Sequence, residues 1–211
     1  MSLKTEVKVA HISNLSDARY CAGMGVQYLG FSMDSDAEHY VDQNTLKTIK
    51  EWIVGPKIVG EFSNLDTTEY DISALGEELD YIEISDPDSI GAAGKTGLPV
   101  IFRLEIETVE TVREIEQLLI NLKDRVQFFI LDGSPGSKIN NTDILSLASL
   151  YKIMIGFEMD HQSIHAWIDE TDIFGISLKG GTEIKPGFKD YFHPYRFLSH
   201  GNLANTNRLP L

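Results

Sequence analysis

Short runs of β-branched and apolar residues recur along this chain, and segments with helical spacing lie between them. The runs are 7–11 (VKVAH), 26–31 (VQYLGF), 57–62 (KIVGEF), 81–85 (YIEIS), 99–104 (PVIFRL), 126–131 (VQFFIL), 152–157 (KIMIGF) and 174–178 (FGISL). A short apolar run bounded by turn residues reads as a buried strand. Asn14 or Ser16 can cap a first helix with Ala18, Cys21 and Ala22 on its inner side, and Asp42 precedes a second with Leu46, Ile49, Trp52 and Ile53. A weak helix is expected around 72–79, and Asp86-Pro87 opens a short one. Residues 107–122 put Val109, Val112, Ile115, Leu118, Leu119 and Leu122 near helical spacing. Asn141 or Thr142 caps a helix through Leu147 and Leu150, Asp160 caps another through Ile164, Trp167 and Ile168, and 190–199 supplies the last.

Strand and helix thus alternate about eight times with short connections, the rhythm of an α/β chain closed into a parallel (β/α)8 TIM barrel. The 211 residues sit at the low end of that fold's size, so 1–211 reads as one barrel domain without room for a second. An open doubly wound sheet usually has fewer units, and the first βα turn lacks the glycine fingerprint of dinucleotide binding. The polar segment 202–211 is expected to lie irregularly on the surface.

Acidic residues outnumber basic ones 32 to 18, a formal charge of −14. Such a surface repels phosphate backbones and anionic lipid, which argues against nucleic acid and membrane partners. A small phosphorylated metabolite stays compatible, because a few local N–H groups outweigh a distant, screened field. The single cysteine, Cys21, excludes an internal disulfide framework and fits a reducing cytoplasm. No apolar run reaches the roughly 18 residues of a membrane span, and the N-terminus has no signal-peptide pattern.

After the eighth run come Lys179, Gly180, Gly181 and Thr182, then Pro186-Gly187. Glycines without Cβ atoms let backbone N–H groups approach a ligand, Lys179 adds a cation and Thr182 a hydroxyl. The same pattern also serves as an ordinary tight turn. In a parallel barrel the active site lies at the carboxyl ends of the strands, and phosphate commonly binds after strands seven and eight. Those places are Gly156 and 179–182 here, which favours a phosphate site.

The stretches VKVAHISNLSDARYCAGMGVQYLGF, KIVGEFSN, LDYIEISD, QFFILDG and GISLKGGTEIKPGFKD resemble, in order, motifs of the phosphoribosylanthranilate isomerase family, over most of the chain. The last, with its Gly, Glu, Pro-Gly and Lys-Asp in sequence, is the most specific. The resemblance implies a barrel isomerase of tryptophan biosynthesis. Its reaction is an Amadori rearrangement of N-(5'-phosphoribosyl)anthranilate, with no cofactor and no metal, by a monomer or homodimer. It implies that Asp132 is the general acid that opens the sugar ring; the residue alone reads equally as a loop Asp closing the turn before Gly133.

The chain departs from the family pattern at several places. The family's first-strand Cys, the general base, falls on Ala10, which cannot titrate, and His11 follows it. A histidine suits a base near neutral pH, but alternation points strand neighbours to opposite faces unless the strand has ended. His39 stands where the family has the Arg that holds the anthranilate carboxylate. Glu83 adds acid near the mouth, and Glu158 brings negative charge near the phosphate position. Arg103 has a near counterpart in the family and can contact an anionic ligand, or can pair at the surface with Glu105 or Glu107. Isomerase action, with a changed substrate or low activity, and non-catalytic or regulatory binding of a phosphate ligand both remain open. His161 and His165, four apart on an expected helix, lack an obvious carboxylate partner for a metal and read as solvated.

Overall fold

The computed structural model describes residues 5–65, 76–106, 109, 111–133, 141–156, 168, 171–179, 183–185 and 188–189. Eight strands close a parallel barrel in sequence order: β1 Glu6–Ala10, β2 Tyr28–Ser32, β3 Lys57–Phe62, β4 Tyr81–Ile84, β5 Val100–Glu105, β6 Phe128–Asp132, β7 Ile153–Ile155 and β8 Gly175–Lys179. Helices α1 Leu15–Gly23, α2 Gln43–Lys50, α3 Ile90–Lys95, α4 Val112–Leu122 and α5 Asn141–Ala148 follow β1, β2, β4, β5 and β6, with a 3-10 turn Pro87–Ser89 leading into α3. Glu183–Lys185 (β9) and Phe188–Lys189 (β10) form a separate antiparallel pair. The expected (β/α)8 architecture is therefore the one observed. The expected helices at 160–168 and 190–199, and Gly180, Gly181, Thr182, Glu158, His161 and His165, lie outside the described residues, Ile168 excepted.

Local sequence sets the helix starts. Asn14 accepts the N–H of Asp17 at 2.9 Å, Asp42 accepts those of Asn44 and Thr45 at 3.0 and 3.1 Å, and Thr111 accepts that of Glu114 at 3.3 Å. Each cap satisfies amides that the helix itself leaves unpaired. The cap at Thr111 also corrects the expected start at 107: α4 begins at Val112. Likewise α2 ends at Lys50, so Trp52 is 64% exposed rather than on the core face, and Leu150 lies beyond α5 and is 70% exposed. Strand limits move by at most two residues, and those of β3 not at all. Two of these shifts bear on the site: β1 stops at Ala10, and β6 runs through Asp132 instead of ending before it.

Alternation along each strand divides the core in two. Outward residues such as Val7, Val9, Leu29, Ile82 and Phe102 pack against Ala18, Leu46, Ile49, Ala93, Ile115 and Leu119 of the helices. Inward residues Tyr28, Val59, Ile101, Phe128, Ile130 and Met154 form a second cluster with Tyr81 and Phe174. The ring centroids of Phe128 lie 5.4 Å from Tyr28 and 5.1 Å from Phe174. This aromatic plug fills the barrel on the amino-terminal side, so the interior is a packed core and not a pore.

The barrel is sealed where β1 meets β8, from Glu6 opposite Gly175 to Ala10 opposite Lys179. A Cβ on Gly175 would overlap the Glu6 carbonyl oxygen and come within 2.9 Å of the Glu6 Cβ. Backbone paired on both sides cannot yield as a flexible side chain can. Gly175→Ala is expected to destabilise the protein by about 1–3 kcal/mol, read as a lower urea midpoint at unchanged slope.

Candidate active site

The inward positions toward the carboxyl ends of the strands carry charge. Lys8 on β1 bonds Glu61 on β3, and its Nζ lies 2.8 Å from Oε2 of Glu83 on β4. Arg103 on β5 places Nε 3.2 Å from Glu83 Oε1 and Nη1 3.7 Å from Asp132 Oδ2 on β6. Lys179 Nζ, on β8, lies 3.1 Å from the same Asp132 oxygen. Anions and cations thus alternate as Glu61, Lys8, Glu83, Arg103, Asp132 and Lys179. Buried charge is tolerable only when paired, and this chain of contacts pairs each member with one of opposite sign. The pairing is not ideal: Glu83 Oε2 and Arg103 Nε sit at ion-pair distance without an aligned hydrogen bond.

Electrostatics follows the contacts. Burial disfavours the Lys8 ammonium, but Glu61 and Glu83 outweigh it and raise its pKa above the ordinary 10.5. Burial would also raise Glu61, yet Lys8, then His11 and Arg103, hold it below 4.5. For Glu83 burial prevails, with repulsion from Glu61 adding to it, and its pKa rises. Two buried carboxylates beside one ammonium therefore separate into an ionised member and a more proton-seeking one. Gly30 on β2 makes the arrangement possible. A Cβ there would overlap Glu61 Oε1 and stand 2.9 Å from Lys8 Nζ.

His11 lies just past β1 with φ 58°, in the left-handed region that a non-glycine residue rarely enters. Its backbone N–H donates to Glu61 Oε2 at 3.2 Å, and its Nε2 is 4.0 Å from that oxygen. Its ring centroid is 5.5 Å from that of His39, in the segment after β2. The imidazole remains 31% exposed, open to a ligand. Burial chiefly, with Lys8, His39 and Arg103, holds its pKa below 6.5 against the opposing pull of Glu61. It is therefore a neutral imidazole at neutral pH, the form a base requires. Ala10 ends β1 as a buried methyl group.

Asp132 is the last residue of β6, and its Oδ1 accepts the N–H of Gly133 at 2.8 Å. Gly156, following β7, leaves room for it: a Cβ would meet the Asp132 carboxylate at 3.3 Å. The structure thus gathers His11 and His39 on the β1–β2 side and Arg103, Asp132, Gly156 and Lys179 on the β5–β8 side. Arg103 makes the expected pair with Glu105 and adds two partners from neighbouring strands. It touches Glu105 at 3.6 Å, but it is mostly buried and its closer carboxylate is Glu83.

Lys8 and Glu61 were missed as site residues. Their signal was nonetheless present, since a charge inside an apolar run (VKVA, KIVGEF) points into a buried space and demands a partner. Among the described residues no cluster of three His, Cys, Asp or Glu side chains could hold a metal, and no described helix is long and apolar enough to cross a membrane. An open groove lined by Thr5, Glu6, Gln27, Lys152, Asp172 and Phe174 includes no member of the ion chain.

A family model for N-(5'phosphoribosyl)anthranilate (PRA) isomerase matches residues 7–193. The N-(5'-phosphoribosyl)anthranilate isomerase of Rubrobacter xylanophilus is 24% identical, with the match covering 92% of this chain and 97% of the relative. Among solved structures, phosphoribosyl anthranilate isomerase in complex with reduced 1-(o-carboxyphenylamino)-1-deoxyribulose 5-phosphate superposes with TM-score 0.75 at 19% identity, over 94% of this chain and 98% of the other. Monomers generated from the dimeric Thermotoga maritima isomerase superpose with TM-score 0.72 at 20% identity, over 92% and 96%. At these identities the structures speak for the shared barrel.

Proposed function

This chain belongs to the N-(5'-phosphoribosyl)anthranilate isomerase family of tryptophan biosynthesis, and we propose that it carries out the family's Amadori rearrangement with His11 as the base and Asp132 as the acid. Asp132 gives a proton to the ribose ring oxygen as the C1′–O bond breaks, leaving an iminium at C1′. The neutral His11 imidazole then removes the C2′ proton. The resulting enolamine tautomerises to the amino-ketose, and no external oxidant or cofactor enters.

The observation that carries the reading is the left-handed turn at His11. β1 ends in the methyl of Ala10, and the turn brings an imidazole of depressed pKa to the end of that strand. Asp132 gives up its contact with Lys179 before it acts on the ring oxygen. Lys179 is half-exposed on a flexible stem, and it turns toward the substrate phosphate held with Gly156, Gly180, Gly181 and Thr182. Arg103 then remains as the guanidinium beside the acid. His39 faces the aromatic end of the substrate, next to His11. The setting is cytoplasmic, with the chain acting as monomer or homodimer on a small phosphorylated metabolite.

A second reading, a non-catalytic binder of a phosphate ligand, draws on one observation: Asp132 is ion-paired by Lys179. Product formation from phosphoribosylanthranilate separates the two. Turnover by the wild type that is lost in Asp132→Asn is expected. Binding of a product analogue without turnover, and a gain of activity only in Ala10→Cys, would establish the binder instead.

A further inference from the structure

Glu61 reaches both the buried Lys8 and His11 at the mouth. Its two oxygens are used differently. Oε1 bonds Lys8, while Oε2 accepts the backbone N–H of His11 at 3.2 Å and the Ser32 hydroxyl at 3.4 Å, and lies 4.0 Å from His11 Nε2. The carboxylate is only 6% exposed, so Lys8 fixes it from below and the missing Cβ of Gly30 gives it its place.

We propose that Glu61 is the positioning residue of His11: anchored on Lys8, its outward oxygen clamps the His11 amide in the left-handed turn and orients the imidazole over the mouth. The inference rests on the reading of His11 as the base. A backbone conformation that β1 alone would not adopt persists because an ionised acceptor on β3, two strands away, bonds the amide. The same oxygen faces the imidazolium that forms when His11 takes a proton, so the clamp also stabilises the product of that step. His11 is faced by Lys8 on β1, His39 after β2, Glu61 on β3 and Arg103 on β5. Glu61 is the anion of the four, so removing its charge shifts His11 in one direction.

The test is Glu61→Gln, with His11 followed by NMR titration and kcat, KM and the pH profile measured on phosphoribosylanthranilate. The His11 midpoint, and with it the acid limb of kcat/KM, should move to lower pH. By analogy with partners that orient metal-bound histidines, kcat should fall roughly 10–100-fold, with KM little changed. An unmoved or raised His11 midpoint overturns the proposal. If Glu61→Gln does not fold, Glu61→Asp decides, because it keeps an anion for Lys8 while withdrawing the oxygen from His11. The proposal then requires the loss of kcat at a near-native melting temperature, and wild-type kcat refutes it. A downward shift of His11 in a protein that never turns over this substrate retires the isomerase reading alone, because the titration is read without turnover.

Discussion

Lys8→Met is expected to destabilise the barrel by about 3–5 kcal/mol near neutral pH, the usual cost of removing one partner from a buried ion pair. For a chain of this length that is a fall of roughly 10 °C in melting temperature. Methionine fills similar space, so lost packing contributes little. The cost comes from Glu61 and Glu83, which are 6% and 2% exposed and would lose their shared ammonium. Glu83 keeps its contact with Arg103, whereas the direct contacts left to Glu61 are a hydroxyl, an amide and a histidine 4.0 Å away.

The pH dependence of that cost is distinctive. In the wild type the Lys8 pKa is raised, so its contribution is complete below 10.5 and fades as pH climbs through the folded value. Glu61 is lowered and contributes above 4.5, losing that contribution as pH falls through its folded value. Glu83 is raised and has the opposite sign, favouring the folded state below 4.5 and losing that as pH rises. Without Lys8 both carboxylates shift upward, and the folded state binds more protons than the unfolded chain above 4.5. The deficit of Lys8→Met should therefore be larger at about pH 8 than at about pH 5. Urea denaturation at both values checks it, and equal deficits would mean that the carboxylates are stabilised by something other than Lys8.

His11→Gly should separate stability from activity. Turnover should fall by about 10²–10⁴-fold, the typical contribution of a general base. Stability should hold or rise by up to about 1 kcal/mol, because glycine adopts φ 58° without the left-handed penalty while giving back part of that gain as chain entropy. Steady-state kinetics and thermal unfolding on one preparation suffice. Loss of stability together with activity would make His11 a structural residue, and unchanged turnover would place the base elsewhere. In the wild type the imidazole pKa lies below 6.5, so kcat/KM should reach its plateau at or below the ordinary histidine range as pH rises.

The sequence by itself determined the alternation of strand and helix, and with it the barrel, because apolar runs of strand length and helical periodicity are local properties. It also placed His39, Arg103, Asp132, Gly156 and Lys179 at strand ends or the loops that follow, which in a parallel barrel means one mouth. Tertiary structure decided what these groups touch. Local reading offered Arg103 its chain neighbours Glu105 and Glu107; the guanidinium does touch Glu105, but it also lies between Glu83 of β4 and Asp132 of β6, its neighbouring strands, which no local pattern announced. Strand alternation directed His11 away from the face of Ala10, yet β1 ends one residue early and an acceptor on β3 holds the turn. Period two tells which face of a strand a charge occupies, but not which charge it meets across a closed barrel. That depends on the stagger between strands far apart in sequence, and here the stagger aligned Lys8, Glu61 and Glu83 into one buried contact.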